Sequence, residues 1–415
     1  NKGSISALVV ISVLLYSIVL TTAYMKASGK RRIQIQSQIL AKEAYEKQFN
    51  NLDEIREEII GLPGTNETQP YYPSSEFKRV KRTNLDNGLV IEDGNGNQYV
   101  WVEVPKNTTV YPTAGLNITN FTDDEYTKIE NDLHTYTSVY RNGTEHKDTW
   151  VADNNNTGWF TESEYYAQKK TMLKSVYQNG GFYVGRYETG IDASKQKQRI
   201  FNANSEKLTI HDVTQTPVIK ANAYPYTWVN RTQAQVLAKN MNSGTKTSSL
   251  MFGVQWDLVL AFMSKDTAKI TSTEDLTQNS TTIGNYRNST FDLNRGKYAQ
   301  YDQLGNEWKN FDSALDSIVV SNETTGKMKK TEQSSYENGI LLTTGGTEQS
   351  KVMNIYDIAG NVSEWTLEKA SRTSDLCDFR GGSFNNAGSG IPAASRHRGS
   401  ADGSDSTLGF RVSLF

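Results

Sequence analysis

An uncharged apolar run near the N-terminus limits the structures that this chain can form more than any other feature does. From Ile5 to Met25 the sequence reads ISALVVISVLLYSIVLTTAYM, and the first acidic residue of the chain is Glu43. About 20 apolar residues are enough to cross a bilayer as one helix. The run therefore predicts either a membrane helix or the hydrophobic half of a helix that packs against copies of itself.

The apolar pattern continues beyond that run at roughly helical spacing. Ile33, Ile39, Leu40, Phe49 and Ile59 belong to this continuation, and Gly61 and Pro63 then predict the end of the helix. A continuous helix over residues 5–60 would be about 84 Å long at 1.5 Å per residue. A plain membrane anchor needs no second apolar stripe, so the pattern favours oligomerisation, either in a filament or in a coiled-coil stalk.

A hydrophobic half that runs into an amphipathic half resembles the N-terminal helix of type IV pilins. The resemblance implies a helix that sits in the membrane before assembly and then packs into a filament core with its copies. The assembly residues it implies are Ile5, Leu8, Val9, Val10, Leu14, Leu15, Ile18, Leu20, Ile39 and Leu40. Lys2-Gly3 resembles the end of a class III leader peptide.

Two features depart from the bacterial pilin pattern. Bacterial pilins carry Glu at the fifth mature position, where this chain has Ile5, or Leu8 if cleavage follows Gly3. The lack of an acidic residue at this position resembles archaeal-type pilins more closely. The second departure is that cleavage after Gly3 would have removed residues 1–3, which are present. Separately, the basic residues between Lys26 and Arg32 would favour a cytoplasmic C-terminal side. A plain single-span anchor therefore stays open as the alternative.

Charge and composition exclude several classes of protein. Lys plus Arg is 44 and Asp plus Glu is 46, so the net charge of −2 argues against a nucleic-acid binder. One Cys excludes a disulfide scaffold and a four-thiolate metal site. Four His leave little room for imidazole metal chemistry.

The middle of the chain predicts a connector, a hairpin and an insertion. Residues 61–86 contain Pro63, Pro70 and the basic run FKRVKR at 77–82, which predicts an exposed linker; a phosphate or protease site is the functional alternative. Strand-like segments flank a turn at 93–97, so residues 87–104 predict a β-hairpin. Residues of about 106–175 predict an insertion rich in Asn and Thr, with a helix near 161–179.

The C-terminal part carries six motifs in a characteristic order. They are GFYVGRYETG at 181–190, YTWVNRTQAQVLAKNMN at 226–242, SLMFGVQWDLVLAFM at 249–263, YDIAGNVSEW at 356–365, FRGGSF at 379–384 and the final LGFRVSLF. Together they resemble the sulfatase-modifying factor family, over about 87–110 and 180–415. The resemblance implies an α+β fold with a C-type-lectin-like domain over 87–415.

The resemblance also implies a structural calcium ion. In the family, the segment that matches YDIAGNVSEW wraps Ca²⁺. The matching ligands are the side chains of Asp357 and Glu364 and the carbonyl groups of Gly360 and Val362. Oxygen ligands of this kind suit Ca²⁺. The alternative is an ordinary surface loop with two acidic side chains.

The residues of the chain argue against the catalytic activities of that family. Formylglycine-generating enzymes need two cysteines for copper, and this chain has only Cys377, which precedes the RGGSF strand. The ergothioneine branch needs a histidine cluster for iron, and only His211 and His397 fall in this region. The prediction is a protein without enzymatic activity, and a metal-dependent oxidoreductase is the remaining enzymatic alternative.

The loops that precede the last strand are the predicted recognition surface. Within this family's fold, such loops bind ligands, and here they span about 385–405. The candidate ligand-binding residues are Asn385, Asn386, Arg396, His397 and Arg398, which could bind a glycan or another surface ligand. The sequence thus predicts a subunit of an extracellular, pilus-like filament that displays a non-catalytic lectin-like domain for adhesion. A single-span surface adhesin is the alternative.

Overall fold

The computed structural model describes residues 61–141, 146–192, 215–300, 308–311, 318–322, 327–335, 339–370 and 376–415, together with residues 12, 14 and 40–42. The chain divides into two compact units, Asn1–Leu62 and Pro63–Phe415. Each unit is described by itself below.

Few residues of the first unit are described. Leu14 and Leu40 are helical and have exposed side chains. The other predicted assembly residues, namely Ile5, Leu8, Val9, Val10, Leu15, Ile18, Leu20 and Ile39, lie outside the described residues. Among the described residues, no helix combines the length and the apolar character that a membrane crossing requires.

The second unit is a mixed α/β structure. Its α-helices are α1 (Asp123–Tyr136), α2 (Glu162–Asn179), α3 (Arg231–Lys239), α4 (Gly253–Met263) and α5 (Glu274–Thr277), with 3-10 turns at Ser138–Arg141 and Glu348–Ser350. The strands up to residue 300 are β1 (Lys78–Arg79), β2 (Val90–Glu92), β3 (Gln98–Glu103), β4 (Gly181–Gly185), β5 (Gly190–Ile191), β6 (Pro217–Val218), β7 (Tyr224–Pro225), β8 (Ser248–Leu250), β9 (Phe291–Leu293) and β10 (Lys297–Gln300). The later strands are β11 (Lys309–Asn310), β12 (Ile318–Asn322), β13 (Lys327–Lys330), β14 (Ile340–Leu342), β15 (Ser363–Lys369), β16 (Cys377–Arg380), β17 (Arg396–Gly399), β18 (Leu408–Phe410) and β19 (Val412–Leu414).

A six-stranded sheet of order β1-β2-β3-β4-β19-β8 joins the start of the unit to the end of the chain. Strands β2 and β3 pair antiparallel with Val90 opposite Val100, which confirms the predicted hairpin. Its turn closes because the Asp93 carboxylate accepts hydrogen bonds from the backbone N–H groups of Asn95 and Asn97. The final strand β19 lies between β4 and β8, so the last residues of the chain are part of the core.

The predicted exposed connector is in fact partly packed against this sheet. Lys78–Arg79 forms the edge strand β1. The Thr68 hydroxyl donates to the Gly180 carbonyl at 2.8 Å and accepts the indole N–H of Trp101 at 2.8 Å. A buried indole needs such an acceptor, and the connector supplies it.

The predicted insertion contains more regular structure than its composition suggests. Helix α2 at Glu162–Asn179 agrees with the helix predicted near 161–179. Helix α1 at Asp123–Tyr136 was not predicted. Its signals were present in the sequence, because Thr122 caps Glu125 and Ile129 and Leu133 share one buried face. The many Asn and Thr residues nearby favoured the prediction of an irregular insertion instead.

Thr161 begins α2 with a reciprocal cap that can be tested. Its side chain accepts from the backbone N–H of Glu164, and the Glu164 carboxylate accepts from the backbone N–H of Thr161 at 2.8 Å. We expect Thr161→Ala to lower the free energy of unfolding by about 1 kcal/mol. Urea unfolding measures this. Thr171→Ala, an exposed change in the middle of the same helix, is the control and should change stability by less than about 0.5 kcal/mol.

A four-stranded sheet of order β17-β16-β15-β18 carries the C-terminal motifs. Strands β15 and β18 are parallel, and β16 pairs antiparallel with both β15 and β17. Helix α4 and the 392–395 turn are linked by the indole N–H of Trp256, which donates to the Ala393 carbonyl at 3.0 Å. The indole N–H of Trp365 likewise donates to the Val229 carbonyl at 2.9 Å, so both tryptophans are core residues.

Two further sheets, of orders β11-β10-β14 and β12-β13-β9, share an apolar cluster that encloses a lysine. Lys330 is fully buried, and its ammonium nitrogen donates to the carbonyls of Tyr286 at 2.6 Å and Ser289 at 2.9 Å. Burial lowers the pKa of Lys330 to about 7.

The buried lysine gives stability a pH dependence of defined sign. The pKa of Lys330 falls from 10.5 to about 7 on folding, so the unfolded chain binds the extra proton between those values. The free energy of unfolding should therefore rise with pH from about 7 upward, by up to about 1.4 kcal/mol per pH unit. Lys330→Met should remove this rise, whereas Lys329→Met should keep it. Urea unfolding at several pH values measures the slope, and equal slopes in both variants would contradict the assignment.

Candidate binding surface

The predicted ligand-binding residues do not all face outward. Asn385 is buried: its Oδ1 accepts from the Ser383 hydroxyl at 2.6 Å, and its Nδ2 has no hydrogen-bond partner. Asn386 is half-buried and accepts from the same hydroxyl at 2.8 Å. The first turn of the 385–405 loops therefore holds the backbone in place, and Asn385 is not available to a ligand as the structure stands.

Arg396 has a structural role that differs from the prediction. Its side chain is 1% exposed. Its guanidinium donates to Asp257 at 2.7 Å and to Glu368 at 3.0 Å. Arg380 donates to the same two carboxylates, at 2.7 and 3.1 Å. The sequence placed Arg396 on a recognition surface, but its guanidinium is occupied within this ion-pair network.

The network has three cationic members. The guanidinium groups of Arg380 and Arg396 face the two carboxylates, the Arg141 guanidinium lies 3.7 Å from Asp257, and Arg396 also donates to the Arg141 carbonyl at 3.1 Å. Burial raises the pKa of Glu368, but the positive charges of Arg396 and Arg380 outweigh burial and leave its pKa below the usual value. The network joins α4, β15, β16 and β17, so it holds the edge strand β17 in position.

His397 and Arg398 are the predicted residues that remain at the surface. They lie on β17, which is an edge strand of its sheet. The His397 ring stacks on Phe379 with centroids 5.8 Å apart, and Arg398 is exposed. Burial, and then the neighbouring Arg398, lower the pKa of His397. A largely neutral imidazole beside an exposed guanidinium can bind a hydroxyl group and an anionic group together.

The insertion contributes to this surface, which the sequence did not reveal. Asn155 donates to the Asp402 carboxylate at 2.8 Å, and Asn156 donates to the same carboxylate. His146 is hydrogen-bonded to Asp378 next to β17. These pairs are separated by more than 200 residues along the chain. No local sequence pattern identifies such pairs, because they form only once the insertion packs on the sheet.

Cys377 lies inside the fold, in β16. It is a free thiol, and burial raises its pKa to about 11. A thiolate binds metal and attacks electrophiles far better than a thiol does. A thiol with this pKa stays protonated near neutral pH.

The residues of the predicted calcium loop already have partners. The Asp357 carboxylate accepts from Ser350 Oγ at 2.6 Å and from the Gly345 N–H at 2.7 Å. Both Glu364 oxygens accept from Arg411, at 2.7 and 3.0 Å. In this arrangement the Arg411 guanidinium holds both oxygens of Glu364, so a calcium ion there would have to share that carboxylate with Arg411. For Gly360 and Val362 the described contacts involve the N–H groups, which donate to Gly381 and Glu188. Calcium at this loop stays a prediction.

A third carboxylate adds negative charge beside this loop. Glu188 is fully buried and accepts from the Val362 N–H at 3.0 Å and from the Asn361 amide at 2.7 Å. Burial, and then the charges of Asp357 and Glu364, raise the pKa of Glu188 well above its usual value. Glu188 is thus held in place by neutral N–H donors of the loop itself.

A different group is the one whose ligand atoms converge. Among the described residues, Glu130, His134 and Asp148 place ligand atoms within 4.8 Å of one another. The Lys169 ammonium group donates to both Glu130 oxygens at 2.9 Å. Asp148 accepts from the N–H groups of Gly253 and Val254, at 2.6 and 3.0 Å, at the start of α4. The carboxylates of Glu130 and Asp148 therefore already have partners. They help the insertion to pack, and the Lys169 ammonium group supplies the positive charge beside them.

Comparison with known proteins shows the family. The family model described as "FGE-sulfatase: Sulfatase-modifying factor enzyme 1-like domain" matches residues 73–414. The chain belongs to the FGE-sulfatase family. This confirms the relationship that the six C-terminal motifs predicted, and it extends the family domain toward the N-terminus into the predicted connector.

The remaining comparisons add little. A comparison with curated proteins gave no match. Among solved structures, the chain is similar to "Treponema denticola variable protein 1" at 14% identity, over 56% of this chain and 95% of that chain, with a TM-score of 0.13. A TM-score this low supports no conclusion about the fold or the function of this FGE-sulfatase domain.

Proposed function

We propose that this protein is a non-catalytic surface protein whose FGE-sulfatase domain recognises a ligand. The observation that carries the proposal is the state of its one cysteine. Cys377 is buried, its pKa is raised to about 11, and the chain has no second thiol to complete a copper site. The described histidines do not supply an alternative, because His134, His146 and His397 each contact a different partner.

The proposed recognition surface is the β17 edge with the 400–405 loop. His397 and Arg398 present polar groups there, and the Asp402 contacts with the insertion hold the loop. A C-type-lectin-like fold, which the family resemblance implies, would place variable loops on this face. A polar and pre-organised loop surface suits binding of a glycan or another surface ligand.

The proposal for the N-terminal unit is assembly into an extracellular filament. It rests on the apolar run at 5–25 and the second apolar stripe to residue 60. Copies of the chain would be its partners, and the membrane would hold the helix before assembly. The alternative is a single-span adhesin that never polymerises.

Electron microscopy of material sheared from the producing cells, labelled with antibody to residues 180–415, tests filament assembly. Labelled filaments support the proposal, and label confined to the cell envelope contradicts assembly and favours the anchored adhesin. Ile39→Asp with Leu40→Asp should abolish filaments while the globular domain stays folded. Gln36→Asp with Gln38→Asp adds the same charge at polar positions and is the control.

Catalysis is tested separately. The full-length protein, supplied with copper, oxygen and a cysteine-containing sulfatase peptide, should form no aldehyde. Aldehyde that persists in Cys377→Ser would show an enzyme that uses other groups. Aldehyde that disappears in Cys377→Ser would show that the one thiol is catalytic. Either result would overturn the non-catalytic proposal.

A further inference from the structure

A basic cleft lies on another part of the globular unit. It has a volume of about 590 Å³ and forms between the turn after β1, Arg186, the loop after α4 and the 351–354 loop. Its lining includes the cations Lys81, Arg82, Arg186, Lys265, Lys269 and Lys351. Two acidic residues, Asp86 and Asp266, also line it. The volume is in the range of small-ligand sites.

Two lysines on one wall are close enough to perturb each other. Lys269 donates to the carbonyl groups of Glu348 and Gln349, at 2.6 and 3.2 Å. Burial, and then the positive charge of Lys351, lower the pKa of Lys269. Glu348 is the carboxylate beside them, and it is shared with Arg295 at 3.1 Å as well as with Lys351. Lys269, Lys351 and Arg295 are thus three cations beside two carboxylates, Glu348 and Asp266, which leaves a small excess of positive charge on this wall.

Arg186 adds a cation with neutral partners. Its guanidinium donates to the amide oxygens of Gln98 at 2.8 Å and Asn354 at 3.1 Å. It also lies 5.6 and 5.7 Å from the ring centroids of Tyr187 and Tyr356. In the described part of the chain no carboxylate pairs with this group. An arginine fixed by amides and rings is pre-organised to attract an anion.

The two walls are tied together, so the cleft is preformed. The Asn354 side chain donates to the carbonyls of Asn87 at 3.0 Å and Gly88 at 2.9 Å. Gly88 has φ of +91°, and a Cβ there would lie 2.0 Å from the Met353 carbonyl oxygen. Lys81 and Arg82, the last residues of the basic run FKRVKR, therefore belong to the lining of this cleft.

We propose that this cleft binds an acidic sugar of a polysaccharide through its sulfate, phosphate or carboxylate groups. Lysine and arginine bind such oxyanions by charge-assisted hydrogen bonds. Thr267 also lines the cleft, and its hydroxyl can bind a sugar hydroxyl. The chain as a whole carries a net charge of −2, so the cations of this cleft do not belong to a protein that is basic overall. Nucleic acid, which needs an extended basic surface, is therefore disfavoured.

This site goes beyond the proposed recognition surface, because it shares no residue with β17 or the 385–405 loops. The two sites can therefore be tested independently. Loss of binding at one leaves the other unchanged.

The test measures binding of the full-length, detergent-solubilised protein to dextran sulfate, polygalacturonate and polyphosphate, with neutral dextran as the blank. At least one polyanion should bind, and the one preferred identifies the anionic group. The double variant Lys81→Gln/Lys265→Gln should lower that affinity at least tenfold. Lys265 is ion-paired with Glu103 at 2.5 Å, and Lys327 is ion-paired with Asp292 at 2.7 Å. The control Lys78→Gln/Lys327→Gln therefore removes one lysine from the same basic run and one from a comparable ion pair outside the cleft, and it should retain native affinity.

Three outcomes would overturn the proposal. The first is that no polyanion binds more tightly than neutral dextran. The second is that both double variants weaken binding equally, which would show attraction to net charge and not to this cleft. The third is that DNA or phosphatidylglycerol vesicles bind the cleft more tightly than the acidic polysaccharides do, which would assign another class of partner.

Discussion

Replacing Arg411 with methionine is expected to lower the free energy of unfolding by about 3–5 kcal/mol, because it leaves a buried carboxylate without its counter-ion. Arg411 and Glu364 are both buried and paired at 2.7 Å. The guanidinium also donates to the carbonyls of Gly185 at 2.9 Å and Tyr356 at 2.8 Å, which would lose that partner. Urea unfolding followed by tryptophan fluorescence measures the loss.

The control for this prediction is Arg398→Met, which removes an exposed arginine from the same region. It should change stability by less than about 0.5 kcal/mol. The double variant Arg411→Met/Glu364→Gln should recover part of the loss, since it removes both charges. An Arg411→Met protein within about 1 kcal/mol of native stability would contradict the assigned role.

Asp257→Ala is expected to destabilise the protein by a similar amount, about 3–5 kcal/mol, since Arg380 and Arg396 would then share Glu368 and Arg141 would lose its ion pair with Asp257. Asp257 accepts from Arg380 at 2.7 Å and from Arg396 at 2.7 Å, and all three side chains are buried. The local effect should be largest at β17, which Arg396 holds. Hydrogen exchange should show faster exchange at residues 396–399 than elsewhere in the same sheet.

Asp124→Ala is the matched control for this variant. Asp124 pairs with Lys128 at 2.7 Å, but its side chain is 73% exposed. Surface pairs of this kind contribute about 0–1 kcal/mol. Equal losses of unfolding free energy in the two variants would show that the buried Asp257 network stabilises the protein no more than a surface ion pair does.

These buried charges bear on function as well as on stability. Arg380, Arg396 and Arg411 each have carboxylate partners inside the fold, so none of them is available to a ligand in this arrangement. His397 and Arg398 at β17 and the cations of the basic cleft lie instead where a ligand can reach them. Both sets are suited to binding polar or anionic groups, and neither contains a catalytic thiol.

The family relationship and the main local elements could be predicted from the sequence because their causes are local. The hairpin at 87–104 follows from alternating apolar residues around an Asp-Gly turn. Helix α2 follows from the Thr161–Glu164 cap. The six C-terminal motifs keep their order along the chain, and the family domain over 73–414 agrees with them. The proposed filament helix and the calcium ligands rest on sequence resemblance.

The roles of the charged residues were decided by tertiary structure. Arg396 and Arg398 are two positions apart in one strand, yet the first is buried between Asp257 and Glu368 and the second is exposed. Likewise, the run at 77–82 looks like a solvated linker, but Lys81 and Arg82 line a cleft with residues more than 180 positions away. Local sequence determines which backbone conformations and apolar faces form, through turns, caps and periodicity. The partner of each charge depends on which distant segments pack together, because Coulombic and hydrogen-bonding contacts act through space and not along the chain.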